Sequence, residues 1–317
     1  MNAAESLFEH LRSGLTPFLG LPHVLQPQPA AGVVLGAPFD GGVLNRPGAR
    51  LGPWALRAAS MGLGRLPMPL SLRREEPATP LAAQGWVDGG NIPTRPFDGC
   101  EALEAVEHTC AAWIAQGACT LLLGGDHLVT LGALRAHARL HGPLGLLHFD
   151  AHPDAGYGEV WGTPFHHGTW LRQALEEGCV DPQRTVQIGL RAPRFEEGEL
   201  AFLRAAGVSA WTPWDLQEAG LAARLREDMA RLGQGPTYVT LDLDVLDPAY
   251  CPAVAEPVPG GLSTRELTAC LRLLKEWPRP FVGADVMELA PTLSGSEESA
   301  RVAAHFALQL LASRVAP

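Results

Sequence analysis

The sequence predicts an α/β protein, a single domain over 1–317 in which a mostly parallel sheet lies between two layers of helices. Two observations predict this three-layer fold. Short apolar, β-branched runs of strand length recur along the chain, and helix-like patterns lie between them. Such alternation is typical of right-handed βαβ units, whose crossover helices cover both faces of a sheet. No linker, repeat or low-complexity segment divides the sequence, and residues 1–30 are expected to be peripheral.

The predicted elements follow one another in a regular order. The strand-like runs are 32–37, 119–124, 144–150, 185–190, 237–243 and 280–287. Helical patterns, with apolar residues three and four apart, are predicted near 52–60, 101–116, 129–140, 168–178, 197–206, 215–232, 264–276 and 296–312. The Pro- and Gly-rich stretches 21–30, 38–53 and 252–261 are predicted to be loops on the active-site side.

Composition and charge exclude several classes of protein. Hydrophobic residues make up 46% and charged residues 18% of the chain, which indicates a globular protein with a substantial core. The net charge is −10 without a basic stripe, so neither nucleic acid nor an anionic membrane is an expected partner. No apolar run reaches the roughly 20 residues of a membrane span, and the amphipathic start with Glu5, Glu9 and Arg12 does not resemble a signal peptide. Six cysteines without CxxC spacing favour reduced, buried thiols and a cytoplasmic location.

Two short stretches place metal-binding side chains at every second residue. His148 to Asp154 reads HFDAHPD, and 241–248 reads LDLDVLDP. Side chains two residues apart on a strand point the same way, so Asp150, His152 and Asp154 are expected to converge. The same argument brings Asp242 and Asp244 together.

A third motif, LLLGGDH, ends a predicted strand in two glycines and His127. Ligands of open α/β sheets bind beyond the carboxyl ends of the strands, where all three motifs fall. Four crowded carboxylates repel one another or take up protons, and two divalent cations would neutralise them. The mixture of carboxylate and imidazole suits Mn²⁺ or a similar first-row ion better than a thiolate-rich zinc site.

These motifs resemble those of the ureohydrolases, the family of arginase and agmatinase, from about Val33 to Ala312. Four blocks carry the resemblance: GGDH at 124–127, DAHPD at 150–154, LDLDVLDP at 241–248 and DVMEL at 285–289. Segments 36–40 and 46–53, with His167-Gly168-Thr169, resemble the agmatinase branch in particular.

The resemblance implies an arginase-like fold and six ligands for two Mn²⁺ ions per subunit. One ion would be held by His127, Asp150, Asp154 and Asp242, and the other by Asp150, His152, Asp242 and Asp244. It also implies hydrolysis of a small cationic guanidino compound, agmatine-like and part of polyamine metabolism, to urea and an amine. The nucleophile would be a metal-bridging hydroxide formed near neutral pH.

The resemblance further implies roles for three residues near the metals. Asp154 would orient the nucleophile while remaining a ligand, His167 would carry a proton to the leaving nitrogen, and Glu288 would pair with the guanidinium. His166 is an alternative to His167 as proton carrier. Asp126 is expected either to orient a ligand histidine or to form a turn. Trimers or hexamers are the oligomers that the family suggests.

Departures from the family pattern concern the substrate. Leu128 stands where the family usually has serine, the loop 155–166 is long for an agmatinase, and 253–257 reads AVAEP in place of a Thr-rich loop. If Glu256 points inward, it would bind a distal ammonium and favour a diamine-tailed guanidine over a guanidino acid.

Other functions stay open at this stage. Arginase, guanidino-acid hydrolase and formimidoylglutamase share the same chemistry. A non-catalytic metal-binding paralogue is a different class, although four clustered carboxylates without metal would be destabilising. A two-metal phosphoesterase would need basic residues to hold phosphate, and the motif residues include neither Arg nor Lys.

Overall fold

A computed structural model describes residues 16–64, 81–158, 161–193, 197–275, 277, 281–294 and 297–314. Within them, eight strands form one sheet in the order β2-β1-β3-β8-β7-β4-β5-β6, and every neighbouring pair is parallel. The strands are β1 Gly32–Ala37, β2 Trp86–Asn91, β3 Cys119–Gly124, β4 Leu144–Phe149, β5 Val180–Ile188, β6 Ser209–Trp211, β7 Thr237–Asp242 and β8 Gly283–Met287.

Helices cover both faces of this sheet. They are α1 Gly52–Ser60, α2 Gly99–Ile114, α3 Thr130–His141, α4 Trp170–Glu176, α5 Glu199–Ala206, α6 Pro213–Ala219, α7 Leu221–Leu232, α8 Thr264–Leu274 and α9 Glu298–Arg314. One core contains buried residues of α1, α7, α8 and α9, and the other contains those of α2, α3, α4 and α5. The predicted three-layer α/β fold is confirmed. None of the helices in the described ranges is both long and apolar enough to span a bilayer.

The structure differs from the prediction at the sheet edges and in one helix. The edge strands β2 and β6 were not predicted, because four of the six residues of β2 (WVDGGN) are Gly or polar and β6 has only three residues. The helical pattern 215–232 is broken at Gly220, whose positive φ of 79° ends α6 before α7 begins.

The expectation that 1–30 is peripheral needs a correction. Residues 1–15 lie outside the described residues, but Phe18 and Leu21 are buried in the core with Leu56 of α1. The physical reason is that the short apolar turn at 18–20 is tied to the sheet, since the Phe18 amide donates to Asp88 of β2 at 2.6 Å.

The strand order brings the four motifs together. β3, β8, β7 and β4 are adjacent at the centre of the sheet, although they are far apart along the chain. The chain passes from β3 to β4 and later inserts β7 and β8 between them. GGDH, DVMEL, LDLD and DAHPD therefore all lie at the carboxyl edge of the four central strands, where open α/β sheets bind ligands.

A buried ion pair fastens the edge strand β2 to helix α1. Arg57 of α1 donates two hydrogen bonds to Asp88, at 2.8 and 2.9 Å, and one to Asn91 at 2.6 Å. The side chains of Arg57 and Asp88 are 3% and 0% exposed. The carboxylate also accepts the amides of Gly90 in β2 and Phe18, so this charge pair joins α1, β2 and the turn at 18–20.

Arg57→Met should lower the free energy of unfolding by about 3–5 kcal/mol, because it leaves the buried Asp88 carboxylate without a counter-charge. Urea unfolding followed by circular dichroism measures the change. Arg95→Met is the matched control, since the side chains of Arg95 and its partner Glu101 are 77% and 31% exposed, and it should cost less than about 1 kcal/mol. Equal losses in the two variants would contradict this role of the Arg57–Asp88 pair.

Candidate metal centre and substrate cavity

A cavity of about 310 Å³ opens at the carboxyl edge of the central strands. Most of the sequence-predicted site residues line it: His127, His152, Asp154, His167, Asp242, Asp244, Glu256 and Glu288. Asp150 is fully buried next to these residues and does not line the cavity. The structure therefore gathers residues from four strand ends around one space.

One cluster surrounds the imidazole of His127. Its Nδ1 lies 3.1 Å from Asp150 Oδ2, 3.3 Å from Asp154 Oδ2 and 3.0 Å from Asp242 Oδ2. His127 reaches this position because the chain turns sharply at Gly125, where a Cβ would stand 2.0 Å from the Phe39 carbonyl. These four residues are the set that the sequence assigned to the first ion.

A second cluster lies beside the first. His152 Nδ1 is 2.8 Å from Asp244 Oδ2 and 3.5 Å from Asp150 Oδ1, so Asp150 contributes one oxygen to each cluster. The Ala151 amide donates to Asp244 and fixes its carboxylate. Asp242 Oδ1 accepts the amide of Asp244 at 2.7 Å, and burial together with repulsion from Asp244 and Asp150 raises the pKa of Asp242, so this carboxylate lies beside the second cluster as well.

The clustered charges perturb one another strongly. Burial and repulsion between the carboxylates raise the pKa of Asp154, Asp242 and Asp244. Burial also acts to raise the pKa of Asp150, but hydrogen bonds from three histidines outweigh it and hold this pKa well below its usual range. Four carboxylates that repel in this way, with two imidazoles and no thiolate among them, form a donor set suited to two divalent cations.

A hydrogen-bonded chain behind His127 sets its tautomer. Thr240 Oγ1 donates to Asp285 at 2.5 Å and therefore accepts the Nε2 proton of His127 at 2.7 Å. Thr130 donates to the other oxygen of Asp285 at 2.9 Å. His127 Nδ1 consequently faces the carboxylates, and its lone pair has the orientation that a metal ligand needs once the Nδ1 proton has left.

His148, to which the sequence analysis gave no role, belongs to this region. Its Nδ1 accepts the Gln187 amide at 2.9 Å, so its Nε2 carries the proton and donates to Asp150 Oδ2 at 2.8 Å. It holds Asp150 in place and is not arranged as a ligand. The sequence could have indicated this role, because His148 lies on β4 two residues before Asp150, which directly follows the strand, and residues two apart in such a segment point the same way.

Glu288 and His167 meet on another side of the cavity. Glu288 Oε1 accepts the His127 amide at 2.8 Å and His167 Nδ1 at 3.0 Å. Its Oε2 is buried and has no hydrogen-bond partner among the described residues. Burial acts to lower the pKa of His167, but the carboxylates of Glu288 and Asp126 outweigh it and raise this pKa.

The remaining predicted residues occupy distinct places. Asp126 accepts the amides of Gly42 and Leu128, so it forms a turn and holds the loop that contacts His167. Leu128 is buried in the core and does not line the cavity. In the loop 155–166, Gly156, Trp161 and His166 line the cavity, whereas residues 159–160 lie outside the described residues.

Two further carboxylates line the cavity. Glu256 of the 253–257 loop lines it, and so does Glu199 at the start of α5, which the sequence analysis did not single out. Neither Lys nor Arg occurs among the described residues that line the cavity. Helix α5 reaches this position only through the packing of the fold, so no local sequence pattern could predict that Glu199 lines the cavity.

Comparisons with known proteins agree with this geometry. The family model described as "Arginase family" matches residues 30–312. Proclavaminate amidinohydrolase of Streptomyces clavuligerus is 39% identical, with 86% of this chain and 85% of the relative covered. Guanidinopropionase of Pseudomonas aeruginosa is 36% identical, covering 94% and 91% of the two chains. An agmatinase of Neisseria meningitidis is also 36% identical, covering 93% and 91%.

Solved structures show the same fold. The proclavaminate amidinohydrolase structure from Streptomyces clavuligerus superposes with a TM-score of 0.87 at 35% identity, covering 96% of this chain and 98% of that one. The arginase of Bacillus caldovelox superposes with a TM-score of 0.75 at 26% identity, covering 90% and 97%.

The sheet and the buried His/Asp cluster define a metal-dependent hydrolase of C–N bonds. The chain belongs to the arginase family, and it is an amidinohydrolase that acts on guanidino compounds.

Binding of a divalent ion should release protons, and the affinity should rise with pH toward about 9. Without metal, the carboxylates around His127 raise its pKa to about 9, against the effect of burial, so a proton must leave before Nδ1 can bind an ion. Isothermal titration of chelator-treated protein with Mn²⁺, in two buffers of different ionisation enthalpy, measures the proton release. Equal heats in the two buffers and an affinity independent of pH would contradict this expectation.

Proposed function

We propose that the protein is a binuclear manganese amidinohydrolase that cleaves a linear, agmatine-like guanidino compound to urea and an amine. One observation carries the proposal: Glu288 presents a buried, unpaired carboxylate oxygen in the cavity that the His/Asp clusters line. A guanidinium offers the planar N–H donors that such an oxygen accepts, and charge-assisted bonds of this kind are strong.

The residues proposed to hold the two ions are those of the two clusters. His127, Asp150, Asp154 and Asp242 would hold one ion, and Asp150, His152, Asp242 and Asp244 the other. A bound pair of divalent ions lowers the pKa of a water molecule enough to supply a nucleophile near neutral pH. Manganese is favoured because the donors are carboxylate oxygens and imidazole nitrogens.

The protein's own groups bind the substrate and move the protons. Glu288 binds the guanidinium and places its carbon beside the clusters. Asp154, held by the Trp170 indole N–H at 2.5 Å, would accept a hydrogen bond from the attacking water. His167 would pass a proton to the leaving nitrogen, because its pairing with Glu288 raises its pKa and keeps a proton available.

Electrostatics favours a cationic tail over an acidic one. Glu256 and Glu199 line the cavity, and the described lining residues include no Lys or Arg to receive a carboxylate. Agmatine-like compounds end in an ammonium that Glu256 would bind. The cationic tail of the proposed substrate distinguishes it from the guanidino acid for which the guanidinopropionase relative is named.

Urea release from a panel of substrates tests the proposal: agmatine, aminopropylagmatine, arginine, guanidinobutyrate and guanidinopropionate, with formimidoylglutamate followed by formamide. We expect the amine-tailed guanidines to be hydrolysed best. Glu256→Gln should raise the KM for them about tenfold, the effect of losing one charge-assisted hydrogen bond, and should lower the KM for the acids, because one repelling charge is removed. An unchanged KM for both groups would remove Glu256 from the site, and no product from any compound with metal bound would favour a non-catalytic paralogue.

Asp150→Asn should reduce urea release at least about 100-fold, because Asp150 contributes to both clusters and even indirect partners of a metal ligand typically affect function 10- to 100-fold. Metal content by atomic spectroscopy and urea release are measured on the same sample. Glu104→Gln, a substitution on α2 outside the cavity, is the control and should change neither. A metal-loaded Asp150→Asn variant with full activity would contradict the proposed centre.

The family resemblance also leads us to propose a homo-oligomer, a trimer or hexamer, in the cytoplasm. The acidic net charge favours a small cationic substrate over nucleic acid or an anionic membrane surface as partner. Light scattering on the purified full chain measures the number of subunits.

A further inference from the structure

The histidine next to the proposed proton carrier has its ring fixed by its own turn. His166 Nδ1 accepts the Gly168 amide at 3.1 Å. The Thr169 hydroxyl accepts the His166 amide at 3.1 Å, and the Thr169 amide donates to the His166 carbonyl at 3.0 Å. Because Nδ1 is an acceptor, the proton of the neutral ring is on Nε2.

The ring stays neutral at physiological pH. Burial lowers the pKa of His166 to about 4, and the nearby His167 adds to this effect. The residue is 4% exposed and lines the substrate cavity, but its Nε2 has no hydrogen-bond partner among the described residues. A buried donor without an acceptor is unfavourable, and a ligand that supplies the acceptor removes this cost.

We propose that His166 is a specificity-determining residue whose Nε2–H donates a hydrogen bond to a neutral oxygen, a hydroxyl or an amide carbonyl, on the substrate tail. This inference rests on the proposed function and names the chemistry of the tail in the same cavity. The ring centroid of His166 is 6.3 Å from that of His167, which contacts Glu288. The donor is therefore placed to meet the tail a few bonds from the guanidino group.

The charges of the cavity decide which oxygen fits. A carboxylate would accept from His166 equally well, but Glu199 and Glu256 line the same cavity without a Lys or Arg among the described lining residues. Like charges in a partly closed cavity repel, so a neutral oxygen is favoured. A tail with a hydroxyl or amide along its length and an ammonium at its end satisfies both His166 and Glu256.

Two substitutions distinguish the role of His166 Nδ1 from that of His166 Nε2. The Oδ1 of Asn takes the place of His166 Nδ1 and can accept the Gly168 amide. Asn has no donor at the position of Nε2. Gln reaches the Nε2 position with its amide donor. His166→Asn should thus keep the turn and lose the donor, whereas His166→Gln should keep the donor.

The test compares ethyl-, propyl- and butylguanidines that end in methyl, hydroxyl, carboxamide, carboxylate or amine, so that the oxygen lies at different distances from the guanidino group and each compound is compared with the methyl compound of the same length. For wild type with Mn²⁺, we expect kcat/KM to be about tenfold higher for the hydroxyl and carboxamide compounds than for the methyl compound. His166→Asn should abolish this preference, read as the ratio of the two kcat/KM values within the same variant, and His166→Gln should retain most of it. The same preference in wild type and both variants would overturn the role of His166, as would a preference for the carboxylate.

Calorimetric binding of the hydroxyl and methyl compounds to the metal-loaded proteins gives a second readout. If no compound yields urea, the proposed function fails. The binding preference and its loss in His166→Asn would still support the donor, and equal binding of the two compounds by wild type would overturn it.

Discussion

Four carboxylates at the ends of neighbouring strands repel one another, and the arrangement of the rest of the site depends on how this repulsion is offset. Asp150, Asp154, Asp242 and Asp244 are buried, so water cannot screen them. Hydrogen bonds from histidines stabilise the charge of Asp150, while the pKa values of the other three rise. The arrangement is therefore complete only with cations, and metal binding, protonation and the stability of this edge of the sheet are coupled.

The parallel sheet makes such crowding possible. Each central strand ends at the same edge, and β7 and β8 enter between β3 and β4 late in the chain. His127 thereby meets Asp242 and the backbone of His127 meets Glu288, 115 and 161 residues away in sequence. Asp154 and Glu288 also adopt positive φ values of 50° and 67°, which is unusual for residues other than glycine and common at functional sites.

The two ends of the cavity are built differently. Strand ends and their hydrogen-bonded partners contribute one set of lining residues, to which we assign the guanidino group in our proposal, whereas the loops 155–166 and 253–257 and the start of α5 contribute the set to which we assign the tail. Loops tolerate change better than strands, so a family can retain one reaction while its substrates differ. This chain is about equally similar to relatives named for proclavaminate, for guanidinopropionate and as agmatinase. Overall identity does not choose among these substrates, but residues such as His166 and Glu256 can.

The sequence by itself determined the alternation of strands and helices, the three-layer class and the residues of both clusters. The spacing of these ligand types is a local signal, although the strands end before most of them: β4 ends at Phe149 and Asp244 lies in the turn 243–245, so the turns after the strands present these side chains. Only the tertiary structure determined which other residues contact the two clusters and the cavity. The Thr240–Asp285 chain, the free oxygen of Glu288 and the approach of Glu199 depend on the strand order and on how α5 packs. No short segment contains both members of such a pair, so their contact becomes visible only when the sheet is assembled.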